Sequence, residues 1–118
     1  MTESPGDLNG KDIIYKFDHI GVPTKNPQEG EFYVADGKCF CTDPVKTKFF
    51  IEYLRPEEGC PYPAILLEKP HVSYLVENLD EALKDENVIV PPFNPIPTRR
   101  LAFIDVEGCI IELAEEVK

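Results

Sequence analysis

Two apolar stretches of this chain each carry one histidine, and two others each carry one glutamate. FDHIGV (17–22) holds His19 and HVSYLV (71–76) holds His71; the sequence has no other histidine. FFIEYL (49–54) holds Glu52, and CIIELA (109–114) holds Glu112. Each half therefore opens on a strand-like run with an early histidine, passes through a connector, and closes on an apolar run with one glutamate. Self-similarity of this kind is the mark of an internal repeat, and it restricts the chain to folds with two similar halves.

The local signals fill in each half. FDHIGVPT is apolar and β-branched and stops at Pro23, which predicts a short strand. EFYVADGKCFCT predicts a hairpin turning at Asp36-Gly37. KTKFFIEYL predicts a longer strand closed by Arg55-Pro56. RPEEGCPYPAILLEKP carries so many prolines that only a helical turn around Ala64–Glu68 fits there. The pattern then restarts with HVSYLV. ENLDEALKDEN predicts a helix capped by Asn78, with Glu81 three residues on. VIVPPF predicts a short strand ended by its two prolines. RRLAFIDVEGCIIELAEEV predicts two strands joined at Glu107-Gly108. In the first half PTKNPQEG, a loop sequence, stands where the second half has its helix. Residues 1–12 are polar and acidic and are expected to form a flexible tail.

Composition narrows the function classes. A net charge of −10 argues against a nucleic-acid surface, which needs clustered Lys and Arg. Arg99 and Arg100 are the only adjacent arginines, enough for a small anion and not for a duplex. No apolar run reaches membrane-spanning length, and the N-terminus lacks the basic and apolar regions of a secretory signal. A cytoplasmic protein with reduced thiols is expected. Cys39 and Cys41 form C-x-C, neither a zinc knuckle nor a C-x-x-C redox motif, and no partner pair for a zinc site is visible. Cys109 lies in an apolar run and is expected to pack.

A carboxylate within CIIELA costs several kcal/mol if buried alone, so it must be paired, exposed or bound to a cation. The same holds for Glu52. Strand alternation puts Glu112 on a face with Ile110 and Ala114, Glu52 with Phe50 and Leu54, and His71 with Ser73 and Leu75. Singly, each glutamate reads as exposed on an open sheet, and each histidine as an ordinary hydrogen-bonded residue. Jointly, facing one concave sheet, the four offer two imidazoles and two carboxylates, a donor set for Zn, Ni, Co, Mn or Fe.

FDHIGV, IEYLRP, HVSYLVENLDEAL and LAFIDVEGCIIELAE resemble the signature strands of the vicinal oxygen chelate superfamily, which includes glyoxalase I, methylmalonyl-CoA epimerase, extradiol dioxygenases and bleomycin resistance proteins. The resemblance spans residues 14–117 and is nearest in pattern to the glyoxalase and epimerase branches. It implies an α+β fold: two tandem βαβββ modules forming an open curled mixed sheet around a cleft, with the first-module helix reduced or absent. Module one would cover about 13–56, a linker 57–69, and module two about 70–118, together one glyoxalase-like domain. It implies His19, Glu52, His71 and Glu112 as ligands of a divalent metal ion, with Glu112, and also Glu52, as catalytic carboxylates. Arg99 or Arg100 would bind substrate. The implied activity is a metal-dependent lyase or isomerase moving a proton next to a polarised carbonyl of a small oxygenated substrate, in a homodimer without nucleic-acid or membrane partners. The alternative is a non-catalytic small-molecule binding or resistance protein of the same fold. No glutathione or coenzyme A signature is readable.

Overall fold

The structure, a computed structural model, describes residues 13–118. The expected tail, 1–12, lies outside the described residues. The strands are β1 (Lys16–Pro23), β2 (Phe32–Val34), β3 (Cys39–Cys41), β4 (Ile51–Pro56), β5 (His71–Leu75), β6 (Val88–Ile96), β7 (Arg99–Val106) and β8 (Cys109–Glu116). Two short helices, α1 (Ala64–Glu68) and α2 (Leu79–Ala82), lie before and after β5. All eight strands join one mixed, curled sheet in the order β2-β3-β4-β1-β5-β8-β7-β6. At its centre β1 and β5 run antiparallel, flanked by two parallel pairs, β1 with β4 and β5 with β8. No helix among the described residues is long and apolar enough to cross a membrane.

Several elements follow directly from their residues. The Asn78 side chain accepts from the Glu81 amide and starts α2 where the capping signal put it. Glu107 and Gly108 both adopt positive φ (50° and 94°), the conformation of a type I′ turn, and join β7 to β8. α1 occupies the predicted turn at Ala64–Glu68. Residues 24–31 carry no helix between β1 and β2.

Other elements differ from expectation for identifiable reasons. The prolines of VIVPPF do not end the strand: β6 runs on to Ile96. As the last strand it pairs only with β7, and its register shifts around Val90 and Phe93, so an amide missing at Pro91 or Pro92 need not break a ladder. β4 begins at Ile51 and not near Lys46, because Thr47 caps the approach. Its Oγ1 accepts from the Ile51 amide at 2.8 Å, and Phe50 takes a φ of 55°. The Asp36-Gly37 hairpin is looser than a two-residue turn. Ala35–Lys38 closes through Lys38 N to Ala35 O, and the positive φ falls on Lys38. Helix α2 is a single turn, shorter than ENLDEALKDEN predicted. Cys109, expected to pack, is exposed just after the β7–β8 turn; all four cysteines are free thiols.

The sheet buries side chains on both faces. On the outer face Val76, Ala102, Ile104 and Leu113 pack against Leu79 and Ala82 of α2. On the cleft face Leu101, Phe103, Ile110 and Ala114 pack against Leu66 of α1. The strands of the second half are thus held from both sides, which fixes the register that positions the site.

Candidate metal centre

Register alone brings the four polar residues together. Directly paired residues share a face of the sheet. His19 of β1 lies opposite Ser73 of β5, and Ser73 lies opposite Glu112 of β8. One step along, Gly21 of β1 lies opposite both Glu52 of β4 and His71 of β5. Two rows across the four central strands therefore carry His19–Ser73–Glu112 and Glu52–Gly21–His71. The halves repeat each other here. Each histidine is followed two residues later by a small residue, Gly21 or Ser73, and each glutamate sits opposite that small residue on a parallel strand.

The cluster is buried and compact. His19, His71 and Glu112 are 4%, 2% and 4% exposed, too little for water to solvate them. His19 Nε2 lies 3.3 Å from Glu52 Oε1 and 3.7 Å from Glu112 Oε1, and His71 Nε2 lies 3.3 Å from Glu112 Oε1. Yet His19 Nε2 and both ring nitrogens of His71 make no aligned hydrogen bond. Buried polar atoms are rarely left so. Donor atoms bound at about 2.1 Å to a common ion sit roughly 3–4.2 Å apart, the range in which these separations fall. Donor atoms of His19, Glu52 and His71 all lie within 4.8 Å of one another. The orphaned nitrogens, the spacing and the mixed nitrogen and oxygen donors together fit a divalent cation.

The electrostatics of the metal-free chain tell the same story. Burial pushes the His19 pKa down, but the hydrogen bond to Asp18 and the neighbouring Glu52 and Glu112 outweigh it, raising it to about 10. Burial likewise works against ionised Glu112, and His71, His19 and Ser73 more than offset it, leaving its pKa lowered. Without metal, a proton on His19 supplies positive charge to three carboxylates, Asp18, Glu52 and Glu112. A pKa raised from 6.5 in this way stabilises the fold fully below about pH 6.5, and the gain is lost as pH rises through about 10. Denaturant unfolding of metal-free protein between pH 6 and 10.5 should show this decline, and His19→Gln should flatten it.

Asp18 was not singled out in the sequence and proves to be part of the centre. The β1–β5 register shifts between Phe17 and His19, so Asp18 is the extra residue of a bulge. Its Oδ2 accepts from His19 Nδ1 at 2.7 Å and from Arg99 Nη1 at 3.0 Å. A carboxylate on the far nitrogen of a ligating imidazole fixes the ring and leaves Nε2 free to ligate. Asp18→Asn is expected to weaken metal affinity about 10–100-fold by titration calorimetry, without unfolding the protein. Ser73 is a second unforeseen contributor, donating to Glu112 Oε2 at 2.9 Å. Two adjacent polar residues in an apolar strand were the available signal for Asp18; strand alternation placed Ser73 on the face of His71 but gave it no partner.

The cluster forms the floor of a cleft of about 150 Å³, open to solvent at its mouth. Arg99 lines this cleft, whereas Arg100 points to the outer face and pairs with Asp80 at 2.9 Å and Glu115 at 3.5 Å. The two arginines are thus separated by strand alternation, and Arg100 is not placed to touch a ligand in the cleft. Cys39 and Cys41 share the cleft wall with Glu52. A Cβ at Gly37 would lie 2.7 Å from Tyr62 Oη, another residue of the cleft wall. No protein-family model matches the chain, and no curated protein compared with it does either.

Proposed function

We propose that the protein is a metal-dependent enzyme of the glyoxalase and epimerase type, transferring a proton beside the carbonyl of a small oxygenated substrate. The observation that carries this reading is the orphaned pair His19 Nε2 and His71 Nε2, facing Glu52 and Glu112 at the floor of a cleft. In this reading the halves are two tandem βαβββ modules of an α+β domain, the first without its helix. The order of the strands supports it, being symmetrical about the β1–β5 junction, as does the recurrence of the histidine, small residue and glutamate in each half.

His19, Glu52, His71 and Glu112 would hold the ion. When bound, a divalent ion there supplies Lewis-acid polarisation of a carbonyl, making the neighbouring C–H more acidic. The chain's own groups supply the rest. Glu112 is fixed, with Oε2 held by Ser73 and Oε1 facing both histidines. Glu52 has a fifth of its side chain exposed, so it is the carboxylate better placed to take a proton and return it. Asp18, held in turn by Arg99, orients His19, and the cleft walls are largely apolar.

The test is proton exchange. Metal-loaded protein in deuterated water should exchange the α-proton of hydroxycarbonyl or acyl-thioester compounds, followed by NMR. Glu52→Gln, brought to the same metal occupancy with added ion, should slow the exchange on the order of 10²–10⁴-fold. Full exchange by the variant would remove Glu52 from the role. Metal binding without exchange on any such compound would favour a binding protein.

A further inference from the structure

Resting on the metal-centre reading, we infer that the cleft takes a ligand with a polar head at the metal and an uncharged, apolar body, and disfavours phosphorylated or nucleotide-bearing ligands. The chain's charges decide this. Arg99 is the one Lys or Arg among the described residues lining the cleft, and Asp18 already holds its guanidinium at 3.0 Å. Glu52 and Glu112 add two carboxylates at the floor. Beyond the ion itself, a phosphate in the cleft meets no unpaired Lys or Arg among the described lining residues and two like charges at the floor, which disfavours it electrostatically.

The walls argue in the same direction. Above the polar floor stand Val34, Leu54, Leu67, Phe93 and Ile96. Phe93 packs against Tyr62 with ring centroids 5.7 Å apart, giving the wall a fixed aromatic surface. Ile96 is 43% exposed at the mouth, more apolar surface than a purely polar ligand would use. A polar end with convergent donors under apolar walls selects a molecule of matching polarity along its length.

Hydroxamates test this, because all share one pair of chelating oxygens and differ only in the tail. Metal-loaded protein is titrated with acetohydroxamate, benzohydroxamate and phosphonoacetohydroxamate, and metal content is measured on the same samples. Benzohydroxamate should bind about tenfold tighter than acetohydroxamate or better, and phosphonoacetohydroxamate the weakest of the three. Phe93→Ser should bring benzohydroxamate to within about threefold of acetohydroxamate. Tightest binding of the phosphonate, no gain from the phenyl ring, or no hydroxamate binding at all by metal-loaded protein overturns this inference and leaves the metal centre standing. Protein that holds no metal overturns both.

Discussion

Gly21→Ala is expected to lower divalent-metal affinity about 100-fold or more while leaving the protein folded. Gly21 lies between Glu52 and His71 in the sheet, and the His71 ring occupies the space a side chain there would fill. A Cβ at this position would overlap His71 at Cε1 and Nε2, the atoms turned toward the cluster. The backbone of residue 21 is ordinary extended strand, so alanine imposes no conformational strain; its nearest conflict is with the imidazole. The ring must swing away, which removes one of the four proposed ligands and separates Nε2 from Glu112. Chelator competition reads the affinity, and circular dichroism confirms the sheet. Unchanged affinity in folded Gly21→Ala would show that the His71 ring is not a ligand.

Leu113→Ala should act on the opposite property. Leu113 is 1% exposed and packs on the outer face with Leu79, Ala82 and Ile104. The strands around it are paired on both sides, so the space vacated cannot easily collapse, and the expected cost is about 2–5 kcal/mol. Domains of this size are stable by roughly 5–15 kcal/mol, so the change takes a large part of the total. Because Leu113 faces away from its neighbour Glu112, metal affinity of the fraction that remains folded should be unchanged. Urea titration and metal titration on one sample separate the two effects. A stability loss below about 1 kcal/mol would mean the outer face is not packed as described.

These two residues show what was readable in the sequence. The convergence of His19, Glu52, His71 and Glu112 was legible because strand alternation is strict and the pattern occurs twice. A buried carboxylate in an apolar strand also demands an explanation. Gly21 was not legible as part of the site, since its role is an absence of atoms that matters only once β5 is placed beside β1. The bulge at Asp18 depends on pairing with β5, and so does the link from Asp18 to Arg99 across the cleft. The continuation of β6 through Pro91 and Pro92 depends on its lying at the sheet edge, which local sequence does not record. Arg99 and Arg100 looked equivalent as neighbours, and alternation sent them to opposite faces. Phe49 and Phe50 read as strand by their own preference, but the Thr47 cap moved the start of β4 past them.

His19, Glu52, His71 and Glu112 are proposed to form one metal centre. Metal analysis by plasma mass spectrometry of protein purified without added metal, then of His71→Ala and Glu112→Gln, addresses it most directly. The wild-type chain should carry roughly one divalent ion, and both variants should lose most of it while remaining folded. A wild-type protein that takes up no divalent ion under any loading condition would contradict it.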